Sequence, residues 1–564
     1  MQSIDLFGDY ENARMVTTDE YRAAHPGTTC PYDRLGESDL TGIPIAVTRN
    51  AAGKLDVTFI PETHLLAIGA TRSGKTTGFV IPAMNVMLSR KNKPSMVISD
   101  PKGELFGAYA ARFEAAGYRV ILLNFNDCTH SDCWNPLTKY YRLYQKYLHA
   151  ERDIRVVETD HGLRNEYEGV IYEDQRELDT ALTESRSVLL DEVEKGILGI
   201  TQTIIETQNT RDPFWEDSAR DLLRAILYAM LEDSETGEIT EDNFSFETIL
   251  HIFDSFSSVA DPYDKGYFSE RDIRTSKAYQ LAAKCVVEQA NNTRHGIVST
   301  FASRVSKFRD TAVRRITCTN TFELSELDGE VPTVIFLSFK DEESQHYEII
   351  SMFLCNLYTE LIAIARQRGT ALSRPFYFLL DEFGNLPKFK DFDKVISACG
   401  GRNIWFLLIL QSYAQLSQVY GPEVSEIIKD NLNTHLFFGT NNPDTKRAFS
   451  EECGQKTVIS PLSALNGSGE SIMRYEKDTV PLVPISALDR IRPCECIVTR
   501  MREDVLDAHI ERSYLCPEFD ATPLDYDRYD RHIRFYDRRY LYYPGEGRED
   551  RSAGRGNIWF DLFG

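Results

Sequence analysis

A glycine-rich loop that ends in a lysine and a threonine is the first feature of the sequence that could do chemistry. Residues 69–76 read Gly-Ala-Thr-Arg-Ser-Gly-Lys-Thr and match the pattern G-x-x-x-x-G-K-[ST]. In such a loop, main-chain N–H groups and the start of the next helix surround phosphate oxygens. Lys75 is predicted to contact the β- and γ-phosphates, and Thr76 to hold Mg²⁺. With ATP and Mg²⁺ as cofactors, the predicted nucleotide-binding residues are Gly69, Ala70, Thr71, Arg72, Ser73, Gly74, Lys75, Thr76 and Thr77.

Two acidic residues follow an apolar run far downstream. Phe376–Leu380 is typical of a buried strand, and Asp381 and Glu382 come directly after it. Open α/β sheets bind ligands at the carboxyl ends of their strands. Asp381 is therefore predicted to hold Mg²⁺ through water, and Glu382 to act as a general base on the attacking water. Helix capping is the alternative role. We expect the ends of two neighbouring strands to bring Lys75 and this acidic pair to one magnesium triphosphate.

Two more polar residues flank the next apolar run, Ile404–Leu410. Gln411 follows the run, and an amide there could contact the γ-phosphate or the water and sense hydrolysis; a strand cap is the alternative. Arg402 precedes the run, so it lies at the opposite end of the predicted strand. It cannot easily reach the nucleotide of its own subunit. Arg402 is predicted either to act on a neighbouring subunit's nucleotide as an arginine finger or to form a surface ion pair.

The elements that must position these residues alternate between strands and helices. Strands at Leu65–Ile68, Met96–Ser99 and Arg119–Asn124 are separated by helices at Lys75–Leu88 and Gly103–Ala115. Further strand-like runs begin at 331. The region between has apolar residues at helical spacing. These patterns predict an α/β fold with a mostly parallel sheet and an inserted all-α domain.

The same patterns give the domain boundaries. We expect an N-terminal segment at 1–60, a P-loop ATPase domain at 61–137 and 326–512, an all-α insertion domain at 138–325, and a Tyr/Arg/Asp-rich C-terminal tail at 513–564. In the part of the tail from Asp525 to Tyr543, these three residue types alternate. A solvated arm that packs on the domain and a surface that stacks on bases are both open interpretations.

Composition narrows the class of protein. The chain has 564 residues and a formal net charge of −23, which argues against a protein that coats nucleic acid with its whole surface. A local basic channel stays open, and the densest basic run is Arg304, Lys307, Arg309, Arg314 and Arg315. This run is either a solvated helix face or a phosphate-tracking surface.

The longest apolar stretch, Ile349–Ala365, is interrupted by polar residues and is interpreted as a core helix, so no transmembrane segment is predicted. Eleven scattered cysteines suit a reducing cytoplasm.

Together these residues resemble the type IV secretion coupling proteins, the TraG/TraD family of conjugation ATPases. The resemblance covers roughly residues 5–510. Its motifs are the loop at 69–76, Ser-Asp-Pro-Lys-Gly-Glu-Leu at 99–105, Trp-Asn-Pro-Leu at 134–137, Phe-Trp at 214–215, Leu-Asp-Glu-Phe-Gly at 380–384 and Leu-Gln-Ser at 410–412. The Asp-Pro-Lys-Gly-Glu-Leu string beside the P-loop is the most specific of them.

The resemblance implies a RecA-like nucleotide-binding domain that carries an all-α domain and assembles as a homo-hexamer. It implies an ATP-driven translocase that couples relaxase-bound single-stranded DNA to a type IV secretion channel, with relaxosome proteins and inner-membrane channel components as partners. It places the chain at the cytoplasmic face of the inner membrane. Family members usually begin with transmembrane helices, and the segment Leu6–Arg14 resembles the part just after them. The alternatives are a docking platform with switch-like nucleotide binding and a double-stranded DNA translocase of the FtsK/HerA kind.

Overall fold

The computed structural model describes residues 12–159, 162–206, 213–257, 267–268, 271–340, 346–386, 388–389, 391–465 and 471–524. The described residues form two compact units. The first contains those up to Ser131 and those from Phe322 onwards, and the second is the continuous segment Asp132–Thr321. In sequence, the second unit is therefore an insertion into the first. The alternating Tyr/Arg/Asp segment from Asp525 to Tyr543 lies outside the described residues.

The strands, in chain order, lie within short apolar runs for the most part. They are β1 Met15–Thr17, β2 Thr29–Pro31, β3 Ile43–Arg49, β4 Leu55–Ile60, β5 Leu65–Ile68, β6 Ser95–Asp100, β7 Arg119–Asn124, β8 Arg155–Thr159, β9 Gly162–Tyr167, β10 Val170–Tyr172, β11 Thr333–Ser338, β12 Phe376–Leu380, β13 Ile404–Leu410, β14 Thr434–Phe437, β15 Gln455–Leu465, β16 Ser471–Pro481, β17 Glu495–Arg500 and β18 Val505–His509. β5, β7, β12 and β13 begin and end at the residues predicted from the sequence.

Helices connect these strands and make up most of the second unit. They are α1 Thr18–Ala24, α2 Ile81–Ser89, α3 Glu104–Ala115, α4 Thr138–Leu148, α5 Gln175–Ile204, α6 Phe214–Glu235, α7 Phe246–Ser257, α8 Lys277–Ala282, α9 Asn291–Val305, α10 Thr311–Thr317, α11 Tyr347–Gln367, α12 Phe392–Cys399, α13 Tyr413–Tyr420, α14 Pro422–Asn431, α15 Pro443–Glu452 and α16 Ile485–Leu488. A π-helical turn, Thr76–Val80, leads directly into α2.

The main sheet of the first unit is mostly parallel. Its order among the described residues is β1-β18-β17-β14-β5-β13-β12-β6-β11-β7. From β14 to β7 every neighbouring pair is parallel, and β17 runs antiparallel to both of its neighbours. β5 and β12 are not adjacent, because β13 pairs with both of them. The expectation that the loop and the acidic pair follow neighbouring strands is therefore wrong, and the tip of β13 lies between theirs.

The central strands are buried on both faces. Every residue of β5, β6, β11 and β12 is buried, and β13 has a single half-buried position, Trp405. Continuous apolar runs of this kind are typical of a parallel sheet that helices cover on both sides. Each strand ends where its buried apolar run ends. The polar residues that follow these runs therefore lie at the ends of the strands.

The segment before β5 shares the core of the first unit. β2, β4 and β3 form a three-stranded antiparallel sheet among the described residues. Side chains such as Ile43 and Val57 belong to the same hydrophobic cluster as Ile98 and Phe336 of the main sheet. Residues 12–60 are thus part of the first unit and contribute to its core.

The second unit is helical, as predicted, but not all-α. β8, β9 and β10 form an antiparallel sheet, in which Glu168 (φ 51°) and Gly169 (φ 83°) make the turn between β9 and β10. Two successive residues with positive φ are what a tight type I′ hairpin requires. The strands mix charged residues, for example Arg155 and Glu158, with apolar ones and so lack an apolar run. The exposed face of a helix has a similar mixture of residues, so the sequence pattern did not distinguish these strands from helices.

The helix α11 is the one whose length and composition would allow it to cross a membrane, among the residues that the structure describes. Its most apolar 18-residue window has a mean hydropathy of 1.5, and 61% of that window is buried inside the protein. Burial of this extent is typical of the core helix that the sequence indicates.

Candidate nucleotide-binding site

The loop after β5 is folded tightly over its own main chain. The N–H of Ser73 donates to the carbonyl of Ala70 at 3.0 Å, and Gly74 has a φ of +90°, where a side chain would be strained. A Cβ on Gly69 would lie 2.3 Å from Ser73 Oγ. Among the described residues, the N–H groups of Gly74 and Lys75 have no hydrogen-bond acceptor. Consecutive N–H groups ahead of a helix make an anion-binding nest.

The ammonium group of Lys75 lies against this loop. Lys75 is buried, and its Nζ donates to the carbonyl oxygens of Gly69 and Ala70, the latter at 3.3 Å. Burial lowers the pKa of Lys75, while the carboxylates of Glu382 and Asp381 act in the opposite direction. Both acidic residues are therefore close enough to Lys75 to act on its charge. Phosphate oxygens are stronger acceptors than the two carbonyls and could take over these hydrogen bonds.

A hydroxyl and a carboxylate meet beside the lysine. Thr76 Oγ1 donates to Asp381 Oδ2 at 3.1 Å, and the N–H of Glu382 donates to Asp381 Oδ1 at 2.9 Å. Burial raises the pKa of Asp381, and the positive charge of Lys75 is the largest opposing cause. A hydroxyl that donates to a carboxylate keeps its lone pairs for a metal ion, and the carboxylate can accept from a water molecule bound to that ion. The oxygen chemistry of Thr76 and Asp381 fits Mg²⁺.

The tip of β13 brings an amide to the second carboxylate. Gln411 Nε2 donates to Glu382 Oε2 at 3.1 Å. Gln411 is itself held at its main chain, because its N–H donates to Gln415 Oε1 at 2.8 Å and its carbonyl accepts from Thr440 Oγ1 at 2.9 Å. The pair can therefore orient one polar group, such as a water molecule, between a carboxylate and an amide. The strand order β5-β13-β12 makes this contact possible.

The end of β6 contributes a further charge. Asp100 is buried, accepts the N–H of Phe106 at 2.8 Å, and has its pKa raised to about 6 by burial. Burial raises the pKa of Asp381, and the positive charge of Lys102 is among the causes that oppose this rise, so this lysine of the Asp-Pro-Lys-Gly-Glu string lies near the acidic site. The chemistry of the residues alone gave this string no firm role. The pairing of β6 with β12 puts its lysine near the metal-binding candidates.

Arg402 lies away from these groups, as the sequence predicts. It precedes β13, whose seven residues span about 20 Å, while Gln411 follows the strand. Its Nη1 donates to the carbonyl of Ala398, at the end of α12. Arg402 is therefore not part of the site in its own chain.

The structure adds one arginine that the sequence did not indicate. Arg512 follows β18, more than 400 residues after the loop, and its guanidinium donates to the carbonyl oxygens of Ser73 and Gly74. An isolated arginine after a strand has no motif around it, and no local pattern could have identified it.

Four residues of the basic run of the second unit make internal contacts. Arg304 pairs with Glu216, Arg309 with Asp254 and Arg314 with Glu247. The Lys307 ammonium donates to the carbonyl of Ile204 at 3.2 Å, and burial lowers its pKa to about 8. These contacts join helices of the unit. They favour a structural role over both a solvated face and a phosphate-tracking surface.

Comparisons with known proteins identify a family that this chain matches. The family model "Type IV secretory system Conjugative DNA transfer" matches residues 41–468. The chain is 24% identical over 423 residues to the conjugal transfer protein TraG of Escherichia coli, covering 73% of this chain and 58% of that protein. It is 21% identical over 404 residues to the protein VirD4 of Agrobacterium fabrum, covering 70% and 50%. The chain thus spans between half and three fifths of the length of these curated relatives.

A solved structure shares the fold. The plasmid coupling protein TrwB, in complex with the non-hydrolysable ATP analogue ADPNP, superposes with a TM-score of 0.52 at 15% identity, over 89% of this chain and 94% of that one. At this identity the likeness concerns the fold alone. The predicted RecA-like α/β fold with an inserted helical unit is confirmed.

Proposed function

Because the chain belongs to the family of type IV secretory system proteins for conjugative DNA transfer, we propose that it is an ATP-driven motor that couples relaxase-bound single-stranded DNA to a type IV secretion channel. One observation carries the motor assignment. Lys75, Thr76, Asp381, Glu382 and Gln411 meet at one edge of the sheet, although they come from three separate strands. A fold does not by itself imply an activity, so the proposal rests on this site.

The loop binds the nucleotide in this proposal. The N–H groups of the nest, including those of Gly74 and Lys75, surround the β-phosphate, and the Lys75 ammonium leaves its two carbonyl acceptors for phosphate oxygens. Thr76 would hold the metal ion directly, and Asp381 would hold it through water. Mg²⁺, when bound, supplies positive charge that stabilises the charge developing on the transferred phosphoryl group. Solved structures of TrwB contain ADP with Mg²⁺ and an ATP analogue, which supports the same cofactors here.

Glu382 is the general base for hydrolysis. Its carboxylate accepts a proton from the attacking water. The amide of Gln411 orients the carboxylate and the water relative to each other. Gln411 also senses the γ-phosphate, because loss of that group changes what its amide contacts. Its main-chain bonds to Gln415 and Thr440 transmit this change to α13 and to the loop after β14.

Arg402 completes the site of a neighbouring subunit. Its place at the opposite edge of the sheet excludes a role in its own nucleotide site, whereas a ring of subunits can bring that edge to the next nucleotide. A homo-hexamer is the assembly in which every site gains such an arginine. The DNA strand passes through the ring, and relaxosome proteins deliver it at the cytoplasmic face of the inner membrane.

The experiment that tests this proposal is ATP hydrolysis by the full chain with single-stranded DNA, with double-stranded DNA and with none, measured together with particle size. We expect hydrolysis that single-stranded DNA stimulates most and that accompanies hexamer formation. Stimulation by double-stranded DNA alone would favour a translocase of the FtsK/HerA kind. Nucleotide binding without turnover under all three conditions would favour a docking platform.

A further inference from the structure

The guanidinium of Arg512 lies directly behind the phosphate-binding loop. One of its NH₂ nitrogens donates to the carbonyl of Ser73 at 3.0 Å and the other to the carbonyl of Gly74. Arg512 is 4% exposed, and its Cζ lies 5.9 Å from the centre of the Phe438 ring. We infer that Arg512 is a positioning residue for nucleotide binding, which orients the nest and gives it positive charge.

The geometry of the peptide bond turns these two contacts into an orientation of the nest. In a trans peptide the C=O and the following N–H point in opposite directions. The carbonyl of Ser73 shares its peptide plane with the N–H of Gly74, and the carbonyl of Gly74 shares its plane with the N–H of Lys75. When Arg512 binds both carbonyls from one side, both N–H groups face the other side. These are two N–H groups that have no acceptor within the described part of the chain.

The glycines of the loop make room for the guanidinium. A Cβ on Gly74 would lie 1.9 Å from Arg512 Nη1, and a Cβ on Gly78 would lie 2.4 Å from the same atom. Gly78 lies within the helical turn Thr76–Val80, where glycine is less favourable than alanine. No positive φ requires glycine at 78, so the close approach of Arg512 is the physical reason for it there.

The charge of Arg512 needs a counter-charge. Among the described residues, no carboxylate lies within ion-pair distance of its guanidinium. The hydrogen bonds of the guanidinium go to neutral carbonyl oxygens. A buried cation without an anion is costly. A triphosphate in the nest lies just across the loop from the guanidinium and would relieve part of this cost. Nucleotide binding is therefore favoured by the charge as well as by the orientation of the N–H groups.

The main chain around Arg512 is well fixed, so the side chain starts from a rigid base. The N–H of Ile510 donates to the carbonyl of Cys494 and that of Glu511 to the carbonyl of Val47, both at 2.8 Å. The N–H of Leu515 donates back to the carbonyl of Arg512 at 2.8 Å. The segment after β18 is thereby tied both to the sheet and to the phosphate-binding loop.

The test compares Arg512→Met and Arg512→Lys with Arg374→Met in the full chain. Arg374 is a matched control, because it too donates to main-chain carbonyls, those of Lys93, Gly329 and Glu330, but precedes β12 at the edge of the sheet away from the loop. The readouts are the Kd of Mg·ADP, the KM and kcat for ATP, and the Tm without nucleotide.

We expect Arg512→Met to raise the Kd and KM about 10- to 100-fold, in line with the loss of charged hydrogen bonds, while kcat at saturation changes less. Arg512→Lys keeps the charge without the two-pronged donor and should recover part of the affinity. Arg374→Met should lower the Tm without raising the Kd. A Kd for Arg512→Met within twofold of wild type would overturn the inference, as would an equal rise in the Arg374→Met variant. Failure of the wild-type chain to bind Mg·ADP would instead count against the proposed function.

Discussion

Replacing Glu382 by glutamine is the most direct perturbation of the proposed chemistry, because it removes the base and keeps the shape. The side chain contacts Gln411 through one carboxylate oxygen at 3.1 Å, and an amide oxygen can accept the same hydrogen bond. General-base catalysis contributes roughly 10²- to 10⁴-fold to a rate. Since each tenfold is about 1.4 kcal/mol of activation free energy, Glu382→Gln should raise the barrier by about 3–5 kcal/mol.

Nucleotide affinity should respond differently from the rate. The phosphate-binding N–H groups belong to the loop after β5, whereas Glu382 follows β12. The substitution also removes a negative charge that acts on Lys75 and would repel the γ-phosphate. The Kd for Mg·ATP should therefore stay equal or become slightly lower, while kcat falls by two orders of magnitude or more.

The assay is steady-state hydrolysis at saturating ATP together with an equilibrium binding measurement. Glu423→Gln is the matched control, since it makes the same charge change on an exposed position of α14 and should leave both quantities unchanged. A kcat for Glu382→Gln within threefold of wild type, at full occupancy, would refute the assignment of the base. An equal loss of affinity and rate would show that Glu382 binds nucleotide and does not activate water.

Two further predictions concern the assembly and the effect of pH. Mixing Arg402→Ala subunits with Lys75→Ala subunits should partly restore hydrolysis, because intact nucleotide sites then gain an arginine from their neighbours. A mixture of Lys75→Ala with Glu382→Gln should not, and no rescue in the first mixture would exclude the role in trans. Burial raises the pKa of Asp100 to about 6, so the stability that its protonated form contributes is present below about pH 4 and lost as pH rises through about 6. Asp100→Asn should therefore raise the Tm above pH 7 and have little effect near pH 4; a shift in Tm that does not vary with pH would contradict the burial argument.

The strands and the phosphate-binding loop were predictable because their signals are local. β5, β7, β12 and β13 are short apolar runs bounded by turn residues, and their length is typical of buried strands and short for a helix. The loop is likewise specified by glycines, a lysine and a threonine at fixed spacing. The hairpin sheet β8–β10 was missed for the converse reason, since its strands mix charged and apolar residues.

The sequence by itself determined which residues end each strand and therefore which polar groups reach the carboxyl edge of the sheet. Only the tertiary structure decided their neighbours. It put β13 between β5 and β12, which lets Gln411 meet Glu382, and it brought Arg512 behind the loop. Strand order and contacts across hundreds of residues depend on how all the buried surfaces of the unit pack together. No single stretch of sequence specifies this order, because each strand is apolar enough to pair with several others.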